Sequence, residues 1–242
     1  MLSIVIAAYN EEARIGESLL KIKKYLDEKD NDYEIIVVDD GSTDNTRQAS
    51  ADYKSEITNL KVIGYPTNKG KGYALRQGVL ASTGDAVLLT DADLSTPIEE
   101  LDRLLPLILD QQYDVVIGSR ALEPNKILKK QPWWRQGMGK TFNRIVKLLV
   151  LDDFNDTQCG FKLFSSAAAG VLFKHARVNR FAYDVEILAL AKERGFRISE
   201  VPVKWINSPE SKVDPIFDSL QMLFDLIKIR MRIRREKTKS PH

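Results

Sequence analysis

The chain is poor in cysteine and histidine and has no long apolar segment. Cys159 is its single cysteine, so an internal disulfide is impossible, and the residues around it lack the spacing of a metal site. We expect Cys159 to be a small buried residue in a protein of a reducing compartment such as the cytoplasm. His175 and His242 lie in no recognisable catalytic arrangement. No stretch reaches the roughly 18 apolar residues of a membrane-spanning helix, and the first residues lack a basic segment and a cleavage site, so we expect a chain that does not cross a bilayer by itself.

Neither sign of charge is in large excess. Lys and Arg total 36 against 34 Asp and Glu, and the net charge of +2 gives no reason to expect a nucleic-acid partner. Hydrophobic residues make up 43% of the 242 residues and charged residues 29%, a balance typical of one globular domain with a substantial core.

Short apolar runs alternate with longer amphipathic stretches in the first half of the chain. This alternation is typical of parallel strands joined by crossover helices, so we predict an α/β fold. The first helix should bury a face on which apolar residues recur at intervals of four, three and four, at Ile15, Leu19, Ile22 and Leu26. The predicted strands, each rich in Val, Ile or Leu, are Ser3–Ala8, Glu34–Asp39, Lys61–Gly64, Ala86–Thr90 and Asp114–Gly118.

The pattern changes after about residue 120. Residues 121–135 contain Pro124, Pro132 and the sequence KKQPWWR, and we predict a mobile loop there. Beyond it we predict, in order, a basic amphipathic helix, a glycine-containing turn around DTQCGF, a helix near Val185–Arg194, a strand Ile198–Trp205 and a terminal helix.

Two carboxylates follow the fourth predicted strand. Asp91 and Asp93 are separated by one residue, at the point where the apolar run AVLLT ends. They would repel each other alone, and a hard cation such as Mg²⁺ or Mn²⁺, shared with diphosphate oxygens, relieves that repulsion. The alternative is that Asp93 caps the next helix, although Ser95 or Thr96 could start it instead. We favour metal binding.

Polar residues also follow the first two strands. Tyr9, Asn10 and Glu11 come after the first, and VDDGSTD at 38–44 ends the second, so an aromatic platform and carboxylate acceptors are available to a base and a ribose. Ligands of open α/β sheets bind beyond the carboxyl ends of the strands, which indicates a nucleotide site. NKGKG at 68–72 predicts a cationic turn in which Lys71 meets phosphate, with a plain helix-entry loop as the alternative.

Seven blocks of sequence form a recognisable set: AYNEE (8–12), VDDGSTD (38–44), NKGKGYALRQG (68–78), DAD (91–93), SRA (119–121), DTQCGFKLF (156–164) and VPVKW with SPESK (201–212). Together these motifs resemble the inverting glycosyltransferases of the GT-A fold, and in particular the dolichyl-phosphate β-glucosyltransferases. The resemblance implies a Rossmann-like, mostly parallel sheet flanked by helices. It also implies a GT-A catalytic domain at 1–212, with a nucleotide-sugar half at 1–120 and an acceptor half at 121–212, followed by a C-terminal amphipathic basic helix and tail at 213–242.

The resemblance further implies a UDP-glucose donor, a polyprenyl-phosphate acceptor, a divalent metal and a β-linked product. Asp91 and Asp93 would hold the metal and diphosphate, and Arg120 the acceptor phosphate. Mannosyl relatives have Pro where Ala7 lies, often Gln where Ser95 lies, and a Lys in the region of Asp184, differences that favour glucose. The uridine would be held by Tyr9, Glu11, Val38 and Asp40, and Lys212 would also serve the phosphates. The remaining substrate positions would be Ala7, Lys71 and Ala92. Asp156, Asp184 and Glu186 would bind sugar hydroxyls, brace the site or cap helices.

A phosphate acceptor is already anionic at neutral pH, so it can attack without a general base. Positioning and stabilisation of the leaving group would then carry the catalysis. Two enzymatic alternatives are transfer of another hexose, such as mannose, and transfer to a saccharide, which would need a base. The non-enzymatic alternative is a membrane-associated module that binds a nucleotide sugar.

Two segments have the character of membrane-surface helices. Met138, Phe142, Ile145 and Leu149 fall at helical spacing after Trp133 and Trp134, and basic residues occupy another face; a core helix is the alternative. The segment from Ile216 to Ile233 has a broad apolar stripe and ends in a cluster of Lys and Arg. We therefore predict a peripheral protein on the cytoplasmic face of a membrane. The C-terminal stripe could instead form a homodimer interface.

Overall fold

The computed structural model describes residues 1–29, 32–123, 127–129, 133–207 and 217–239. Its strands are β1 Leu2–Ala8, β2 Tyr33–Asp39, β3 Leu60–Gly64, β4 Ala86–Asp91, β5 Val115–Ser119, β6 Ile127–Lys129, β7 Lys162–Ser165, β8 Ile198–Pro202 and β9 Trp205–Ile206. Its helices are α1 Ile15–Glu28, α2 Thr46–Ala51, α3 Lys71–Leu80, α4 Leu101–Leu109, α5 Trp133–Leu149, α6 Ser166–His175, α7 Tyr183–Glu193 and α8 Phe217–Lys239.

Seven of the described strands form one sheet in the order β3-β2-β1-β4-β7-β5-β8. The pairs β2–β3, β1–β2, β1–β4 and β5–β8 are parallel, whereas β7 runs antiparallel to both of its neighbours, β4 and β5. The α/β prediction is confirmed, and the five predicted strands of the first half lie within one residue of β1 to β5 at each end.

The sheet separates two apolar cores. On one face α1 and α4 pack against it, and Ile15, Leu19, Ile22 and Leu26 are fully buried as predicted. On the other face lie α3, α6 and α7, and α8 packs over α7 and α5. Cys159 is buried, in agreement with the expectation of a small core residue.

Three predictions for the second half are corrected. Strand β7 and helix α6 were not predicted, because Lys162 interrupts the short apolar pattern of β7 and α6 is built largely of small residues. The predicted strand Ile198–Trp205 is divided into β8 and β9. The predicted loop at 121–135 contains β6, which pairs with β9, and the start of α5; Pro124 and Pro132 lie outside the described residues.

No helix among the described residues is long and apolar enough to cross a membrane.

Candidate active site

The carboxyl ends of β2, β1 and β4 bring three predicted site residues into one row. Ala7 lies opposite Val38 on one side and opposite Asp91 on the other, so the three side chains share a face of the sheet. Val38 is fully buried, whereas Ala7 is partly exposed.

The AYNEE and VDDGSTD motifs hold each other in place. Asn10 has a left-handed backbone (φ 54°), and its N–H donates to Ser42 Oγ at 2.9 Å while its Oδ1 accepts from Thr43 N at 2.8 Å. The N–H of Glu11 donates to Thr46 Oγ1 at 2.7 Å. These contacts explain the polar sequence of both motifs and leave Tyr9 half-buried beside them.

Asp40 anchors the turn that leads into α3. Its carboxylate accepts hydrogen bonds from Tyr65 Oη at 2.6 Å, Asn68 Nδ2 at 2.9 Å, Lys69 N at 2.9 Å and Gly70 N at 2.9 Å. A carboxylate with this many donors is well satisfied within the protein. These four donors already occupy the carboxylate of Asp40, so uridine would have to compete with them for the predicted contact.

Lys71, the first residue of α3, pairs with Asp91 through its Nζ and Oδ1. Burial would raise the pKa of Asp91, but the charges of Lys71, Lys162 and Arg120 lower it below its usual range. Gly160 lies against the same carboxylate, since a Cβ at that position would be 2.3 Å from Asp91 Oδ2. Asp91 is thus ionised, cradled by the main chain and contacted by a basic side chain.

Asp93 belongs to a tight turn that follows β4. Its Oδ1 accepts from Ser95 N at 2.9 Å, and Leu94 between them has a left-handed backbone with φ 46°. The helix-cap alternative is wrong, because α4 begins at Leu101 after a short 3₁₀ turn, and its start has no side-chain cap. Arg14 Nη1 lies 4.0 Å from Asp93 Oδ2, and Arg14 also pairs with Glu11.

Asp91 and Asp93 could supply part, but not all, of the oxygen ligands of a hard divalent cation. Among the described residues, no group of three or more His, Cys, Asp and Glu could hold a metal ion. Asp91 and Asp93 offer two carboxylates, and Mg²⁺ and Mn²⁺ commonly complete their oxygen shell with waters and substrate phosphates. The donor set therefore suits a metal that binds together with a diphosphate.

Arg120 interacts electrostatically with Asp91 and pairs directly with Asp156. Arg120 follows β5 and donates from Nε to Asp156 Oδ2 at 2.6 Å and from Nη2 to Oδ1 at 2.8 Å. Burial would raise the pKa of Asp156, but Arg120 lowers it to about 2. Glu200, which sequence reasoning missed, accepts from Asp156 N at 2.8 Å and so fixes the turn that carries Asp156.

A buried ion pair underlies the same turn. Lys162 is fully buried, and its Nζ donates to Asp184 and to the carbonyl of Cys159. Burial raises the pKa of Asp184 in spite of Lys162. Sequence reasoning missed Lys162, although a lone lysine within CGFKLF, between apolar neighbours, is a signal for a buried cation.

Two predicted site residues, Glu186 and Ala92, form hydrogen bonds within the protein that brace the fold. Glu186 accepts from Arg177 N at 2.8 Å, Val178 N at 2.7 Å and Arg232 Nη1 at 2.9 Å, which favours the bracing alternative and ties α8 to α7. Ala92 is buried, and its carbonyl accepts from Ser18 Oγ at 2.6 Å.

Lys212 lies outside the described residues. The predicted role of Lys212 at the phosphates stays a prediction.

The sequence matches known proteins over nearly its whole length. The profile of glycosyl transferase family 2 matches residues 3–172. A dolichyl-phosphate beta-glucosyltransferase of Dictyostelium discoideum is 36% identical over 96% of this chain and 74% of its own length. The proteins of the same name from Homo sapiens and Saccharomyces cerevisiae are each 35% identical and cover 96% and 95% of this chain, and the matches span 75% and 74% of their own lengths.

Solved structures share the fold. Mannosyl-3-phosphoglycerate synthase from Rubrobacter xylanophilus superposes with a TM-score of 0.72 at 18% identity, over 100% of this chain and 76% of that one. Glucosyl-3-phosphoglycerate synthase from Mycobacterium tuberculosis, solved with Mn²⁺, UDP and phosphoglyceric acid, superposes with a TM-score of 0.69 at 20% identity, over 96% of this chain and 78% of that one. The GT-A architecture is therefore confirmed.

Proposed function

This chain belongs to glycosyl transferase family 2, with dolichyl-phosphate beta-glucosyltransferases among its relatives, and we propose that it transfers glucose from UDP-glucose to a polyprenyl phosphate with inversion, giving a β-linked lipid-phosphate sugar. The observation that carries the proposal is the arrangement of Asp91, Lys71 and the Arg120–Asp156 pair around the turn at Gly160. Acidic groups suited to a metal and cationic groups suited to phosphate lie together there.

The donor half of the site supplies binding and charge. Asp91 and Asp93 would hold Mg²⁺ or Mn²⁺, which neutralises charge on the departing diphosphate when bound. Tyr9 and Glu11 lie where base and ribose would bind, and Lys71 is within reach of phosphates at the start of α3. These residues orient the donor so that its anomeric carbon faces the acceptor.

The chemistry is a single displacement. An oxygen of the lipid phosphate forms the new bond to the anomeric carbon as the bond to the nucleotide diphosphate breaks, and no covalent enzyme intermediate forms. The acceptor oxygen is already anionic, so no proton has to be removed. Arg120 offers the lipid phosphate a guanidinium whose orientation Asp156 fixes.

The pairing of Asp156 makes this residue unsuited to be the base that the saccharide-acceptor alternative needs. A saccharide hydroxyl would need a base with a pKa closer to neutrality. Asp156, with a pKa of about 2 and a two-bonded arginine, is a weak base. Transfer of a different hexose such as mannose stays open, because one or two side chains decide which hydroxyls are satisfied.

The membrane surface is the proposed location of the reaction, since a polyprenyl phosphate keeps its phosphate at the bilayer surface. Helix α8 has an exposed apolar stripe, at intervals of four, three and four residues, that consists of Leu220, Phe224, Ile227 and Met231. Basic residues flank it, with Lys228, Arg234 and Arg235 exposed or largely exposed, which suits anionic lipid headgroups.

Helix α5 offers a membrane less apolar surface than the sequence predicts. Phe142, Ile145 and Leu149 pack against the core, as the core-helix alternative requires, although Leu148 is exposed. The side chains of Trp133, Trp134 and Met138 lie outside the described part of the structure. We therefore assign the main membrane contact to the outer stripe of α8.

One assay tests the proposed reaction. Purified protein is incubated with labelled UDP-glucose, Mn²⁺ or Mg²⁺ and short polyprenyl phosphates, and lipid-phosphate glucose is measured. A parallel set with GDP-mannose and UDP-galactose tests the donor, and free saccharides test the acceptor. Binding of UDP-glucose without any turnover would favour the non-enzymatic binding module.

A further inference from the structure

We propose that Lys71 is the resident counter-cation of Asp91, and that it changes partner from Asp91 to the diphosphate when metal and nucleotide bind, so that it couples the two binding events. The inference rests on the proposed function, because it takes a divalent metal and a nucleoside diphosphate as the ligands of the site. It assigns to Lys71 a role that a simple phosphate contact would not have.

The first support is the contact between Lys71 and Asp91. Lys71 Nζ binds Asp91 Oδ1 directly, and the two side chains are about a quarter and a third exposed. Gly160 lies against the same carboxylate, so the main chain already covers one approach to it. A cation that binds Asp91 must therefore displace, or share the carboxylate with, the ammonium group of Lys71.

The second support is that the backbone of Lys71 is fixed. Gly70 has a φ of 102°, donates to Asp40, and has no room for a Cβ, which would lie 2.5 Å from Asn179 O. The N–H of Tyr73 in turn donates to Asn179 O at 3.0 Å. These contacts hold the backbone, whereas the side chain of Lys71 is long and flexible, and from the first position of α3 its ammonium can reach an anion at the start of that helix.

The consequence is a thermodynamic coupling. A metal that arrives alone loses affinity because it competes with a positive charge at Asp91. When the diphosphate is present, Lys71 has a second anionic partner, so Asp91 is released to the metal. Linkage requires that UDP then strengthen metal binding by the same factor by which the metal strengthens UDP binding.

The test is Mn²⁺ binding, measured from the EPR signal of free Mn²⁺ with and without UDP. Four proteins are compared: wild type, Lys71→Met, Lys71→Arg and Lys69→Met. Lys69→Met is the matched control, because it removes the same charge from the same turn, and Lys69 Nζ lies 4.6 Å above the ring of Tyr73. Thermal unfolding of each variant checks that the fold is retained.

For Lys71→Met we expect Mn²⁺ alone to bind about five-fold more tightly or better, and the enhancement by UDP to fall at least about ten-fold, within the usual range of coupling factors. Lys71→Arg should keep most of the enhancement, and Lys69→Met should match wild type. If Lys71→Met keeps the wild-type enhancement, or binds Mn²⁺ alone more weakly, the coupling role is overturned while the proposed function stands. If wild type binds no UDP with Mn²⁺, both fall.

Discussion

The guanidinium of Arg120 and the carboxylate of Asp156 form a two-bonded ion pair, although 36 residues separate them in the sequence. The N–H of Arg120 also donates to Asp156, at 3.0 Å. A third contact, 5.6 Å from the guanidinium carbon to the ring of Trp205, covers the cation. A fixed guanidinium offers its remaining N–H groups in one direction, which suits capture of a phosphate.

Substitution of Arg120 should affect the acceptor more than the donor. Arg120→Lys keeps a positive charge beside Asp156, so it avoids a buried unpaired acid, but it loses the planar fork. We expect KM for polyprenyl phosphate to rise about ten-fold or more, because hydrogen bonds to charged groups contribute about 1.5–3 kcal/mol. UDP affinity, measured by calorimetry, should change little. Weakened UDP binding with an unchanged acceptor response would assign Arg120 to the donor instead.

Removal of the charge of Asp93 should stop turnover and leave the fold intact. Asp93→Asn keeps the volume and an oxygen for Ser95 N, but weakens the metal site. We expect activity to fall at least about 100-fold, since metal stabilisation is worth several kcal/mol, with a change in stability below about 0.5 kcal/mol. Asp85→Asn, at the opposite end of β4, is the control. Full activity in excess EDTA would contradict the metal requirement.

A methyl group at Gly160 should disturb Asp91 directly. In Gly160→Ala the Cβ would lie 2.3 Å from Asp91 Oδ2, so the carboxylate or the turn must shift. We expect weaker Mn²⁺-dependent UDP binding and lower kcat. Gly170→Ala in α6 is the control, because its Cβ would meet no described atom within 4 Å, and Ala favours a helix by about 0.5–1 kcal/mol. Equal UDP binding in the two variants would remove Gly160 from the site.

The stability of the protein in acid should depend on Glu34. Burial would raise the pKa of Glu34, but hydrogen bonds from Lys61, Ser3 and Thr83 lower it from 4.5 to about 2. A lowered folded-state pKa means that the stabilisation is fully present above pH 4.5 and is lost as the pH falls towards 2. The contribution is on the order of 3 kcal/mol.

The measurement for Glu34 is the free energy of unfolding in urea between pH 2 and 7. Glu34→Gln should lower stability near neutrality and flatten the acid limb of the curve. Glu17→Gln, on the exposed face of α1, should leave the curve unchanged. If the free energy of unfolding of Glu34→Gln falls as steeply in acid as that of wild type, other carboxylates cause the loss of stability.

The outer stripe of α8 should bind anionic membranes. Phe224 and Met231 are 64% and 50% exposed, and Leu109, at the end of α4 on the opposite face of the sheet, is 60% exposed. In co-sedimentation with phosphatidylserine-containing vesicles, Phe224→Ser/Met231→Ser should lose most of the binding, and Leu109→Ser should not. High salt should weaken binding of wild type. If the double variant binds like wild type but changes the sedimentation velocity of the free protein, the stripe is a dimer surface.

Local sequence patterns are sufficient to predict the strands of the first half. The apolar runs of β1, β2 and β4, buried on both faces, need little tertiary information, because Val, Ile and Leu in short runs suit the interior of a parallel sheet. The polar residues at the ends of those strands could be placed at one edge for the same reason, since parallel strands end together.

Which polar groups meet depends on contacts between distant parts of the chain. Lys162 pairs with Asp184, and Asp40 with the turn at Lys69, through contacts between residues more than 20 positions apart. The antiparallel β7 takes its place between β4 and β5 because both neighbours supply backbone partners, which no local pattern encodes. Likewise, α8 is apolar on two sides, and only its packing on α7 and α5 decided which side is buried and which faces outward.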